Sequence, residues 1–163
     1  MYEQIMPKIR RGHIILMQKT CAALGHIVAD ISQEEATTLR DGADGWTIVE
    51  IVCHLRDFDG FFYDRAQMMV QQDNPMLPAY DHEALAIERQ YNSQNLADTY
   101  AELQESRQRF VDFFQSLDDA QWERTGVHPE SGPFGMLGSL MQVGIHDADH
   151  LEQITRVLAQ RDA

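Results

Sequence analysis

The sequence predicts an all-α fold, a four-helix bundle with a long crossover between its second and third helices. Three observations predict it. Four stretches of about twenty residues carry apolar side chains at intervals of three and four, the spacing of one helical face. Clusters of proline and glycine separate those stretches. No segment shows a strand-like alternation strong enough to compete. Helices that each carry one apolar face bury them most simply against one another. A chain of 163 residues with 44% hydrophobic content can build one such core, so residues 1–163 are expected to form a single domain.

The first helix is expected from about Glu3 to Ile31, where Ile9, Leu16, Cys21, Leu24, Val28 and Ile31 recur at helical spacing. Pro7 falls in its first turn, which tolerates proline. The polar stretch SQEEATTLRDGADG, with Gly42 and Gly45, reads as a connection. The second helix has the clearest start: Thr47 followed by Glu50 makes a capping box, and Trp46 is placed to staple onto Ile51. Ile48, Ile51, Val52, Leu55, Phe58, Phe62 and Met69 continue its stripe to about Val70, and Gly60 weakens it without ending it.

Pro75 and Pro78 exclude a continuous helix through QQDNPMLPAYDH, which becomes the crossover, with a short helix expected at Glu83 to Gln90. The third helix runs from about Asn95 to Ser116 on Leu96, Tyr100, Leu103, Phe110, Phe113, Phe114 and Leu117. Asp118 is placed to cap one more turn, DDAQW. RTGVHPESGPFG reads as a loop before the last helix, expected near Met136 to Gln160. The order of the helices, up-up-down-down or another, is left open by the sequence.

Twenty-six acidic against thirteen basic residues give a net charge of −13, a field that repels phosphate backbones and anionic headgroups, so no nucleic acid partner is expected. The opening MYEQIMPKIRR lacks the apolar core of a secretory signal, and no segment reaches the length of a membrane span. Cys21 and Cys53 both fall in helical patterns and suggest no disulfide framework, so a reducing cytoplasm is the expected compartment.

Chemistry concentrates in GIHDADHLEQI of the last helix. His146 and His150 are four residues apart and share a helical face, so they can offer two imidazole nitrogens to one ion. Such a pair arises easily by chance, and taken alone it reads more readily as a polar edge beside Leu140, Gly144, Ala148 and Leu151. The best third donor is His54 in EIVCHLRDF, although a histidine beside an apolar stripe is often a core residue. His82 and His128 fall in expected loops beside prolines, and His13 and His26 are too far apart on the first helix to converge.

WTIVEIVCHLRDFDGFFYDR resembles the second-helix signature of the DinB/YfiT-like superfamily: a tryptophan, a Ser or Thr cap, a Glu, a His-Leu pair and a later Arg. HDADHLEQI resembles that family's last-helix signature, two histidines four apart before Gln-Ile. The motifs stand in the family's order, about 90 residues apart, and the helix pattern agrees across nearly the whole chain. Glu152 departs from it, since many relatives have glycine there.

The resemblance implies a four-helix bundle in which His54, His146 and His150 coordinate a divalent metal ion, commonly zinc or nickel, with solvent completing the shell. It also implies a homodimer. Three protein ligands leave an open position, where an ion can acidify water, polarise a carbonyl or hold a thiolate. The expected activity is transfer of a low-molecular-weight thiol to an electrophilic small molecule, which the resemblance favours. The alternatives are hydrolysis by a metal-bound water and a non-enzymatic metal-binding or interaction bundle.

No catalytic side chain is assigned. Asp57 and Gln153, each three residues after a histidine, are candidates to support the ligands. Asp147 and Asp149 are expected on the solvated surface, Cys53 in packing and Arg65 in a pair with a nearby carboxylate. No Gly-rich phosphate loop, CxxC pair or Walker motif is present, which leaves nucleotide chemistry without support.

Overall fold

The computed structural model describes residues 2–162. Four long helices, α1 (Tyr2–Val28), α3 (Ile48–Gln71), α5 (Leu96–Ser116) and α7 (Met136–Leu158), form the bundle. Their expected bounds hold to within three residues at either end. Two of these starts are set by side-chain caps. Glu50 accepts the Thr47 backbone N–H at 2.7 Å before α3, and Asn95 accepts the Asp98 N–H at 3.0 Å to begin α5.

Two connections hold structure where the sequence suggested loops. Residues 32–45 contain a short helix, α2 (Gln33–Thr38), begun by a capping box of Ser32 and Glu35. RTGVHPESGPFG contains an antiparallel hairpin of β1 (Thr125–His128) and β2 (Gly132–Gly135). Strands of four residues with Pro133 and Gly132 inside them are too short to display alternation. The hairpin is held by a further pairing with the crossover, since Leu77 N–H donates to Val127 and Val127 N–H to Pro75, both at 2.8 Å. Between these elements lie α4 (His82–Glu88) and α6 (Asp119–Trp122), the latter capped by Asp118 as expected.

Each long helix packs against two others: α3 and α1 both touch α5 and α7, which puts α1 diagonal to α3 and α5 diagonal to α7. Contacts reveal the directions. Cys53 meets Thr99, Arg56 meets Glu102, Asp59 meets Arg107 and Tyr63 meets Phe110, so α3 and α5 run parallel. Cys21 meets Tyr100 and Met17 meets Arg107, so α1 and α5 run antiparallel. His54 meets His150 while Phe62 meets His146, so α3 and α7 are antiparallel. The order is therefore up-down-down-up. A parallel α3–α5 pair requires a return along the bundle, which the crossover of residues 72–95 supplies.

That crossover is pinned to α3. Arg65 donates to the Pro78 carbonyl through Nε at 2.9 Å and Nη2 at 2.5 Å, and Tyr80 stacks on Phe61 with ring centroids 3.7 Å apart. Arg65 thus secures backbone rather than the carboxylate expected for it.

The core comprises two apolar clusters along the bundle axis, one around Leu24, Ile51, Leu103 and Ile154, the other around Met17, Phe62, Phe110 and Leu140. On every long helix a buried polar residue divides them: Thr20, Asp59, Arg107 and Asp147. Gly144 permits the close approach of α1 and α7 at this level, because a Cβ there would stand 2.6 Å from the Leu16 side chain. Asp147 is buried at 5% exposure, whereas the sequence suggested a solvated surface residue. Its partner Arg107, forty residues away, is what makes that burial tolerable.

Candidate metal centre

His54 sits two turns into α3, and His146 and His150 stand one turn apart on α7. The antiparallel packing of these helices turns all three rings toward one point. The Nε2 atoms of His54 and His146 are 2.9 Å apart, and one ligand atom from each of the three histidines lies within 4.8 Å of the others. A tetrahedral ion with bonds of about 2.0–2.1 Å holds its ligand atoms roughly 3.3 Å apart, so small ring rotations bring this set onto one ion.

The electrostatics agree with that use. Burial, then the other histidines, pushes the His54 imidazole down to about 2. Burial and His150 push His146 down to about 4, and burial lowers His150. All three rings are therefore neutral near pH 7, the form that donates a lone pair. The Nε2 atoms of His54 and His146 can share one proton at 2.9 Å, which leaves the third converging imidazole without a partner among the three.

The tautomer of His150 follows from its neighbours. Gln153 donates through Nε2 to Asp41 at 3.0 Å, and a carboxylate only accepts, so Gln153 Oε1 faces His150 Nδ1 at 2.7 Å. Nδ1 therefore carries the proton and Nε2 the free lone pair. Arg156 bonds Asp41 in turn, and its guanidinium together with Gln153 holds that carboxyl below its ordinary range. Gln153 thus orients the His150 ring, a candidate ligand, through a partner on the loop after α2 that no spacing signals.

Asp57 does not play that part. It is buried and accepts from Arg56 at 2.8 Å, Arg89 at 2.7 Å and Tyr91 at 2.5 Å, tying α3 to the end of the crossover. Glu152 is exposed and pairs with Arg156 at 3.3 Å. Cys53 is fully buried, and burial pushes its thiol up to about 11, in keeping with packing rather than nucleophilic chemistry.

The histidines floor an open cavity of about 490 Å³. Phe58 packs on His54 with ring centroids 4.3 Å apart, and Trp46 approaches His54 from the other side at 4.8 Å. One rim is the loop of Asp44 and Gly45; the other is the first turn of α4, with His82 and Glu83. Trp46 spans them, donating its indole N–H to Glu83 at 3.3 Å. His82 was set aside at the sequence level for its place beside prolines, yet its ring lies 6.0 Å from that of His54. The one local signal for its placement is Asp81, which caps α4 and starts the helix at His82.

A family model for the DinB superfamily matches residues 16–154. A protein of Oceanobacillus iheyensis, provisionally named a metal-dependent hydrolase, is 27% identical over 140 residues, 85% of this chain and 80% of its own length. YfiT of Bacillus subtilis, under the same provisional name, is 25% identical over 157 residues, 95% of this chain and 87% of its own.

Among solved structures, YfiT of Bacillus subtilis, which has an unusual four-helix bundle topology, superposes with a TM-score of 0.84 over 93% of this chain and 86% of its own. A mycothiol-dependent maleylpyruvate isomerase gives 0.74 over 89% of this chain at 11% identity, and the match spans 60% of that longer protein. These likenesses concern the fold.

Proposed function

This chain belongs to the DinB superfamily, and from that premise we propose that it is a divalent-metal-dependent enzyme that transfers a low-molecular-weight thiol to an electrophilic small molecule. His54, His146 and His150 are the proposed ligands, and zinc or nickel the proposed metal. The observation that carries the reading is the convergence of three buried, neutral imidazoles on the floor of an open cavity. A divalent ion held by three protein ligands supplies Lewis acidity at an open position.

The chain's own residues prepare that position. Burial keeps the imidazoles neutral, Gln153 holds a proton on His150 Nδ1, and Phe58 and Trp46 give apolar walls that restrict water. The open side faces the rim of His82 and Glu83, where a small molecule enters. A thiol-dependent enzyme with the same fold supports thiol chemistry as the use of such a site.

Hydrolysis is the second reading, supported by the provisional naming of the relatives in Oceanobacillus and Bacillus. A homodimer in the cytoplasm is part of the proposal, the compartment supported by two cysteines that are both free and buried. Among the described residues no helix is long and apolar enough to cross a membrane. The acidic net charge of −13 supports the absence of a nucleic acid partner.

The test is elemental analysis of protein purified without a histidine tag or added metal, beside the His146→Ala variant. About one metal ion per chain, lost in the variant with the helical spectrum intact, supports the site; full metal content in the variant removes it. Metal-loaded protein is then offered thiols with electrophiles, and separately esters and amides, to divide transfer from hydrolysis.

A further inference from the structure

The charged side chains lining the cavity are carboxylates: Asp44 on one rim and Glu83 on the other, with His82 between Glu83 and the floor. Among the described residues no lysine or arginine lines it. Two arginines border the rim loop and are engaged there: Arg40 donates to the Gly45 carbonyl at 3.4 Å, and Arg156 bonds Asp41 and Glu152. Glu83 accepts the Trp46 indole N–H at 3.3 Å. Trp46 therefore presents its ring to the cavity with a carboxylate fixed at its edge.

An aromatic face beside carboxylates, with no lysine or arginine beside them in the lining, is the environment that takes a substrate ammonium group at the rim. The ion on the floor attracts the reacting thiolate, whatever the rest of the molecule carries. Discrimination therefore falls on the distal end of the substrate, which lies against the rim. A distal carboxylate meets Asp44 and Glu83 as like charges; a distal amine meets them as opposite charges.

We infer that the cavity selects a thiol bearing a positively charged amine at its distal end and discriminates against thiols bearing a carboxylate there. This deepens the proposed thiol transfer and rests on it.

The test uses cobalt-loaded protein and the thiolate-to-cobalt charge-transfer band, titrated with cysteamine, 2-mercaptoethanol and 3-mercaptopropionate. On binding, each thiol gives its proton to the buffer. The three differ in intrinsic acidity, so the quantity read is the ratio of cysteamine to 3-mercaptopropionate affinity in the wild type, divided by that ratio in the Asp44→Asn, Glu83→Gln double variant. Both positions are on the rim and exposed, so the variant is expected to fold.

Two carboxylates partly screened by solvent predict a quotient of about tenfold at low ionic strength. Salt at about 0.5 M should collapse the wild-type preference toward that of the variant. Bands with the same ratio in both proteins overturn the inference and leave thiol binding standing. No band with any thiol overturns the thiol reading itself, and this inference with it.

Discussion

Arg107 grips Asp147 through two parallel hydrogen bonds, Nη1 to Oδ2 at 2.6 Å and Nη2 to Oδ1 at 3.0 Å, one residue along α7 from His146. The same guanidinium donates to Asp59 on α3 at 2.6 Å and to the Met17 carbonyl on α1 at 2.8 Å. One side chain of α5 therefore fixes the other three long helices at the level where the histidines converge. A fork of this geometry resists rotation of α7 as well as its separation.

Replacing Arg107 by methionine should strand two buried carboxylates and destabilise the fold by about 3 to 5 kcal/mol, read by urea denaturation. Adding Asp59→Asn and Asp147→Asn removes the stranded charges, so the triple variant should be the more stable of the two. If Arg107→Met alone costs nothing measurable, the clamp is not a structural tie.

Gln153→Leu preserves bulk but frees the His150 ring to change tautomer and orientation. Metal affinity should fall about 10-fold to 100-fold, measured by competition with a chromophoric chelator. Asp41→Asn, one bond further from the ring, should cost less. Unchanged affinity in Gln153→Leu would show that the hydrogen bond at 2.7 Å does not govern the ligand.

Acid should weaken the metal-free protein through its histidines. Their folded values lie below the unfolded value of about 6.5, so the unfolded chain binds protons that the folded one does not. Stability is fully present above that value and is lost as pH falls below it, until His146 itself takes a proton at about 4. Each histidine contributes up to about 1.4 kcal/mol per pH unit across that window. Thermal melts between pH 7.5 and pH 4.5 should show the decline, with a shallower slope in His54→Phe; equal slopes would falsify this account.

Asp57 holds the crossover through Arg89 and Tyr91. Asp57→Asn should cost about 1 to 3 kcal/mol, less than a wholly buried pair because Arg89 is partly in solvent. Limited proteolysis should cut residues 72–90 faster, while a metal ion bound at the proposed site on α3 and α7 should stay bound. Loss of metal together with crossover cleavage would mean that α4 helps to retain the ion.

The histidine site was legible because its residues carry local patterns: an HxxxH pair four apart, a histidine following a Thr47–Glu50 cap, and their order along the chain. Gln153 was legible for the same reason, by its offset from His150. His82 was not, since the proline-rich segment that bears it has no periodicity, and long-range contacts of Arg65, Tyr80, Asp57 and Trp46 return it to the cavity. Asp147 was misjudged because its burial depends on an arginine that sequence distance hides.

The four long helices with their bounds, the crossover and the candidate ligands were thus legible in the sequence alone, through periodicities and caps that act over a few residues, whereas α2 was not. Helix order, the parallel α3–α5 pair, the Arg107 tie, the α4 rim and the sign of the cavity's charge were decided by tertiary structure. The physical reason is range. Caps and apolar faces are set by neighbours within two turns, whereas the pairing of buried charges and the choice of facing helices depend on which distant residues come together when the core closes.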